Sequence, residues 1–250
     1  MRCIVIDVGN TSTGIGLFDH GKISRVTHLK GGIMKQPDAC AEAVRKAAKG
    51  AVNGAVLGSV VPRVNAAWKR LILRELGCEL LIVKAGMPME VSVDYPEPET
   101  IGADRLADAC GGVLRYGAPL IVADFGTALT FDVVTKDLRY VGGVITPGLP
   151  LMTDYLFERT ALLPRVELEG PCPKLGRSTQ QAMRIGAQIG YRGIVREIVN
   201  YLRASMKCEF KLVATGGYAG WALKDAAELP FVIDPDLTLF GLGCIFESNS

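Results

Sequence analysis

Residues 1–19 read MRCIVIDVGNTSTGIGLFD and residues 118–134 read APLIVADFGTALTFDVV. Each is an apolar run ending in Asp (Asp7, Asp124), then x-Gly with Asn or Thr, small hydroxyl residues, and a second apolar stretch closing on another Asp (Asp19, Asp132). A Gly directly after a strand lets backbone N–H groups approach an anion, and Thr and Asn add donors where a larger side chain would block it. The strand-end Asp is placed to hold a cation against phosphates. The pattern predicts one phosphate-handling hairpin written twice. Its copies stand 117 residues apart, which is too long for a solenoid repeat and suits two domains with one hairpin each. The candidate phosphate contacts are Asp7, Val8, Gly9, Asn10, Thr11, Ser12, Thr13 and Gly14 in the first copy and Thr127 in the second, with Asp7 and Asp124 placed for cations. A nucleotide gripped in a cleft between two halves is the arrangement expected.

Composition narrows the class of partner. The chain has 250 residues, 49% of them hydrophobic, enough for sizeable cores in one large domain or two small ones. Its 28 basic residues nearly balance 26 acidic ones and no run of five like charges appears, so neither a nucleic-acid nor a membrane footprint is expected. Seven cysteines are scattered singly without C-x-x-C, and there are two histidines, which argues against a zinc site and against a disulfide framework. No apolar stretch approaches the roughly 18–20 residues of a membrane span, and the N-terminal run is broken by Asp7. A cytoplasmic protein with a small-molecule partner is the expectation.

Along the chain, a β-meander over residues 1–28 gives way to helices at Pro37–Lys49 and Arg63–Leu76, with buried strands at Ala55–Ser59 and Leu80–Val83. Residues 86–100 carry Pro88, Pro96 and Pro98 and predict a loop. A helix is expected over Gly102–Tyr116, and composition resets at Ala118. After the second hairpin come a strand at Tyr140–Ile145, a helix at Leu149–Thr160 and an irregular stretch over Leu163–Pro173. A long helix over Ser178–Ser205 carries Gly186, Gly190 and Gly193, which predict close packing of a neighbouring backbone. The strand Lys211–Thr215 runs into Gly216-Gly217, with helices expected over Tyr218–Ala227 and Asp236–Phe246. A meander followed by α/β units, twice, is a doubled α/β architecture.

Two further segments carry chemistry. Ile101-Gly102-Ala103-Asp104-Arg105 opens a helix directly after the proline-rich loop. On spacing alone an Asp favouring the helix dipole beside an exposed Arg is the simpler reading. If a nucleoside triphosphate is bound, however, transfer to an alcohol requires a carboxylate that orients the hydroxyl and takes its proton, and Asp104 fits that role. Arg105 could then clamp an anionic end of the acceptor. The Gly216-Gly217 pair fits a flat base or ribose, and equally a tight turn. Ser178 or Thr179 could simply cap the long helix, and Tyr95 could close over a substrate or merely pack.

The order of motifs, D-V-G-N-T, Y-x-x-P with I-G-A-D-R, D-F-G-T-A-x-T, G-G-V-I-T-P-G, F-E-R-T-A-L-L-P, G-R-S-T and A-T-G-G-Y-A, resembles type III pantothenate kinase, within the acetate and sugar kinase, heat-shock protein and actin superfamily. The resemblance runs nearly end to end. It implies two similar actin-like (ribonuclease H-like) domains, each a mixed five-stranded sheet flanked by helices, with the active site between them. The domains would be residues 1–117, joined by the C-terminal helix at about 236–250, and residues 118–235. It implies ATP-dependent phosphorylation of pantothenate to 4'-phosphopantothenate, with Asp104 as general base and Gly102, Ala103, Arg105, Tyr95 and Thr179 contacting pantothenate. ATP would lie on Asp7–Gly14 and Thr127 with Mg2+, Asp124 would hold K+ or NH4+, and the protein would be a homodimer. Glu97 and Val8 depart from the family pattern, the first at the rim of the implied substrate site. Two rival functions are another small-molecule kinase of the superfamily, for which there is little inserted sequence to build a larger acceptor site, and a non-catalytic accessory factor in gene regulation. The latter should have lost Asp7, Asp104 or Asp124, and all three are present.

Overall fold

The computed structural model describes residues 1–166, 168, 170, 172–224, 226 and 228–250. Strands β1 (Arg2–Val8), β2 (Ser12–Asp19) and β3 (Lys22–Lys30) form the N-terminal meander. Helix α1 (Pro37–Ala47), strand β4 (Gly54–Ser59), helix α2 (Asn65–Leu76) and strand β5 (Leu80–Ile82) follow. Strands β4 and β5 add in parallel beside β1, giving the order β3-β2-β1-β4-β5. Strand β1 is apolar without alternation because it is covered on both faces, and Cys3, Ile4, Val5 and Ile6 are wholly buried. On one face Ile4, Ile6 and Leu57 pack with Cys40 and Val44 of α1 and Trp68 and Ile72 of α2.

The proline-rich stretch expected to be loop throughout contains a strand, β6 (Ser92–Val93), which pairs in parallel with Arg139 and Tyr140. Two residues are too few to show an alternating pattern, so the pairing partner rather than the local sequence defines it. Helix α3 (Ala103–Tyr116) leads to strands β7 (Leu120–Phe125), β8 (Ala128–Val134) and β9 (Arg139–Pro147), then helix α4 (Leu149–Arg159). Helix α5 (Thr179–Ile185) continues through a π-turn (Gly186–Gly190) into α6 (Tyr191–Met206). Strand β10 (Lys211–Thr215), helix α7 (Ala219–Ala222), strand β11 (Val232–Ile233) and helix α8 (Leu237–Ser248) complete the chain. The second sheet has the order β11-β10-β7-β8-β9-β6. Without β6 it repeats the first sheet strand for strand, so the expected five-stranded sheet is present with one added edge strand.

Two expectations are corrected. The helix over Ser178–Ser205 is interrupted by the π-turn, and Gly186, Gly190 and Gly193 do not admit a close neighbour: a Cβ at each would meet no heavy atom within 4 Å among the described residues. Gly186 and Gly190 bound the widened turn instead. The helix expected over Tyr218–Ala227 shortens to α7, with residues 225 and 227 of that stretch, and residues 167, 169 and 171 of the expected irregular segment, outside the described residues.

The chain forms two compact units, one of Met1–Leu120, Asp132–Gly142 and Asp236–Ser250, the other of Ile121–Phe131 and Gly143–Pro235. In the first, α8 is buried along most of its length against α3 and β1. The two helices touch backbone to backbone, since a Cβ on Gly241 would overlap the Ala107 carbonyl oxygen. Across the same contact the Thr238 hydroxyl donates to buried Asp108 at 2.7 Å. No helix among the described residues is long and apolar enough to cross a membrane.

Candidate active site

In the first unit the β1–β2 turn holds the D-V-G-N-T segment. Asp7 pairs with Gly14 and Val8 with Thr13, and the Gly9 N–H donates to the Ser12 carbonyl at 3.0 Å, which closes the loop over Asn10 and Thr11. The eight candidate residues divide by exposure. Asn10, Thr11 and Ser12 are exposed and Asp7 and Gly9 half-buried, whereas Val8, Thr13 and Gly14 are buried. The Thr13 hydroxyl donates to the Gly31 carbonyl at 3.0 Å, tying the hairpin to the chain after β3. Thr13 therefore supports the loop from beneath, and the surface an anion could reach is Gly9–Ser12.

The Gly-Ala-Asp-Arg segment starts α3, with Gly102 at the N-cap and buried Ala103 as its first residue. Asp104 Oδ1 accepts from the Arg105 backbone N–H at 2.8 Å, and Gly102 lies against it so closely that a Cβ there would overlap Oδ1. Burial pushes the Asp104 carboxyl above its ordinary value, against the opposing pull of that N–H and the Arg105 charge. The helix start holds the group in place while its desolvation makes it a stronger base.

Arg105 is not the exposed residue that spacing favoured. Its Nε donates to Asp132 Oδ1 at 2.8 Å and its Nη2 lies 2.7 Å from the same oxygen. Asp132 is wholly buried on β8 and also accepts from the Tyr140 hydroxyl of β9 at 2.8 Å. Burial raises the Asp132 carboxyl to about 6, while Arg105 and Tyr140 pull it down. Tyr140 is pushed far above its ordinary value by burial and by the Asp132 charge, so it stays a protonated donor. Its ring lies under the Arg105 guanidinium at 5.8 Å and meets Tyr95 edge-on at 6.4 Å. Short strand β6 carries Tyr95 there: the Asp94 N–H donates to the Tyr140 carbonyl at 2.9 Å, and Arg139 Nη1 holds the Asp94 carboxylate at 2.7 Å. Tyr95, Gly102, Ala103, Asp104 and Arg105 thus belong to one neighbourhood. Asp132 and Tyr140 were missed as members of it. The signal was available, because an Asp inside the apolar run Leu129–Val134 is costly to bury without a cationic partner.

In the second unit, half-buried Asp124 ends β7 and half-buried Thr127 sits in the turn after it. Gly216, at φ +88° after β10, presses on this turn: a Cβ there would overlap Asp124 Oδ1 and stand 2.7 Å from the Phe125 nitrogen. Gly148 presses on the same turn, its N–H donating to the Thr127 carbonyl at 3.1 Å, and a Cβ there would overlap the carbonyl oxygens of Gly126 and Thr127. Gly148 of G-G-V-I-T-P-G and Gly216 of A-T-G-G-Y-A therefore both seat this hairpin, whereas Gly142, at φ +106°, lies against the Tyr95 ring and a Cβ on Gly217 would meet nothing within 4 Å among the described residues. Behind it Phe125 packs edge-on against Tyr191 of α6 at 6.2 Å. Thr179 is exposed as the first residue of α5, and Ser178, not Thr179, caps that helix by accepting from the Gln181 N–H at 3.2 Å.

Comparison with known proteins bears on this arrangement. A family model described as type III pantothenate kinase matches residues 3–201. A type III pantothenate kinase of Geobacillus kaustophilus is 34% identical over 252 aligned residues, covering 98% of this chain and 97% of that protein. Among solved structures, a Campylobacter jejuni protein assigned to the Baf family of transcriptional activators superposes with a TM-score of 0.63 at 16% identity, covering 98% of each chain. A ROK family glucokinase from Streptomyces griseus, solved with glucose and AMPPNP, superposes at 0.56 and 15% identity, covering 99% of this chain and 98% of that one. At such identities the structures speak to fold alone, and that fold is actin-like. On the family match and the full-length relative, the chain belongs to the type III pantothenate kinase family.

Proposed function

We infer that the chain transfers the γ-phosphoryl group of ATP to the terminal hydroxyl of pantothenate, giving 4'-phosphopantothenate, the first step towards coenzyme A. The observation that carries this reading is the Asp104 carboxylate, fixed by the start of α3 and raised in basicity by burial, in a chain of this family. Asp104 accepts the hydroxyl proton as the oxygen attacks the γ-phosphorus, and Arg105 and Tyr95 hold the acceptor beside it, with Gly102 and Ala103 forming the wall. The exposed Gly9–Ser12 loop offers backbone donors to the ATP phosphates, with Val8, Thr13 and Gly14 shaping it from below and Thr127 adding a hydroxyl from the second hairpin. Asp7 is the residue that would hold Mg2+, which would supply charge neutralisation to the phosphates of ATP.

Asp124 fits a monovalent cation such as K+ or NH4+. Its carboxylate stands in a turn crowded with carbonyl oxygens, those of Gly126 and Thr127. The nearby Thr215 hydroxyl, at the end of β10, is buried without a hydrogen-bond partner among the described residues. Hard oxygen donors with one negative charge suit a weakly charged ion. Thr179 is assigned to pantothenate. A homodimer is favoured by α4, which exposes Leu151, Tyr155, Leu156 and Phe157, a run of apolar side chains suited to a second copy. The domains proposed are residues 1–117 with 236–250, and residues 118–235. The free state of the seven cysteines favours the reducing cytoplasm. The test is ATP consumption by the purified protein with and without pantothenate, in K+, NH4+ or Na+. Consumption that requires pantothenate and is faster in K+ or NH4+ than in Na+ is expected. Absence of pantothenate-dependent turnover in all three rejects the reading.

A further inference from the structure

The guanidinium of Arg105 has two carboxylates near it, one beside it in sequence and one across the sheet, and it bonds to the second. Its Nε and Nη2 lie 2.8 and 2.7 Å from Asp132 Oδ1, while the Asp104 carboxylate is engaged by backbone N–H groups, its own and that of Arg105, and not by the Arg105 guanidinium. The choice is built in. Asp132 is wholly buried, and the Tyr140 hydroxyl, 2.8 Å away, fixes the same oxygen. The Arg105 side chain is only 12% exposed and its guanidinium lies over the Tyr140 ring, so it has little freedom to swing. An arginine fork that turned to Asp104 would occupy the oxygen lone pairs needed for a substrate hydroxyl.

We propose that Asp132 is a positioning residue that draws the Arg105 guanidinium to itself and so keeps the Asp104 carboxylate open to the acceptor hydroxyl. This rests on Asp104 being the base. The charged and titratable groups facing the cluster are Asp104 and Arg105 from α3, Asp132 from β8, Tyr140 from β9 and, behind Tyr140, Tyr95. With Asp132 replaced by its neutral isostere, Arg105 has one carboxylate left to pair with, and pairing stabilises the ionised form of Asp104.

The test uses Asp132→Asn, with Tyr140→Phe as the milder variant that leaves the Asp132 charge in place. In Asp132→Asn the acid limb of the kcat/KM profile should move to lower pH by about one unit or more, with kcat lowered roughly tenfold or more. In Tyr140→Phe both changes should be smaller and in the same direction. A readout independent of turnover is the titration of the Asp104 carboxyl by 13C NMR, assigned by its loss in Asp104→Asn. Asp132→Asn should lower that titration midpoint in the Arg105 background and shift it much less in an Arg105→Gln background, a double-mutant cycle that isolates the route through Arg105. An unmoved or raised midpoint, or equal shifts in both backgrounds, overturns the proposal. Because the NMR titration needs no pantothenate, a failure of the substrate reading would leave it interpretable.

Discussion

At the scale of single residues, half-buried Asp104 and wholly buried Asp132 have opposite proposed duties. Asp104, the base in the proposed reaction, has one oxygen steered by a backbone N–H and its basicity raised by desolvation. Asparagine there keeps the shape and removes the proton acceptor. Asp104→Asn should therefore lower kcat by about 10²-fold or more while nucleotide affinity stays near wild type, as read by steady-state kinetics and nucleotide titration. Asp132 is held by Arg105 and Tyr140, and its raised pKa has a consequence for stability. In the unfolded chain it ionises near the ordinary 3.8 and in the fold near 6, so between these values the native state binds the extra proton. The contribution of this group to stability is present below about 4 and is lost as pH rises through about 6. Urea unfolding of Asp132→Asn should accordingly gain on wild type between about pH 4 and about pH 7. A variant no less stable yet less active is what a positioning role predicts. A constant stability difference across that range would contradict the shifted ionisation.

At the scale of elements, the second hairpin depends on glycines far from it in sequence. Gly148→Ala would drive a methyl into the Gly126 and Thr127 carbonyl oxygens, and the hairpin must move to admit it. Weaker ATP binding and a blunted response to K+ are expected, measured by calorimetry and by a potassium titration of the rate. Gly190→Ala is the contrasting case, since the site is open and its backbone, φ −63° and ψ −45°, is helical. Alanine there should stabilise the monomeric unit by about 0.5–1 kcal/mol in urea unfolding. The same contrast explains what was legible in the sequence. The duplicated hairpin, its Asp residues and the helix start at Gly102-Ala103-Asp104 were readable because strand-to-turn chemistry is local. The glycines of the long helix looked alike on paper, and only three-dimensional placement separates one that bounds a π-turn from one that seats a loop. Strand β6 and the Arg105–Asp132–Tyr140 cluster were hidden for the same reason, each being defined by a partner some 27 to 47 residues away.

At the scale of the whole molecule, one strand order occurs twice, β3-β2-β1-β4-β5 and β9-β8-β7-β10-β11, and the two copies have diverged in what they carry. The first has the Gly9–Ser12 loop, exposed from Asn10 to Ser12, and the second has Gly216 against Asp124 and Gly148 against the carbonyls of Gly126 and Thr127. The added strand β6, with Tyr95 just after it, and helix α3 supply the tyrosine and the Gly-Ala-Asp-Arg segment of the proposed acceptor site. The exposed face of α4 extends the account to assembly. The protein should sediment at twice its chain mass of 26.8 kDa, and Tyr155→Asp with Phe157→Asp should return it to the single chain mass. Phosphorylation of pantothenate with Asp104 as base can be followed by 31P NMR of the protein with ATP, Mg2+, K+ and pantothenate. Wild type should yield a phosphomonoester on the terminal pantothenate hydroxyl together with ADP, and Asp104→Asn should yield almost none in the same time. No phosphomonoester from wild type, or an equal yield from both proteins, would contradict it.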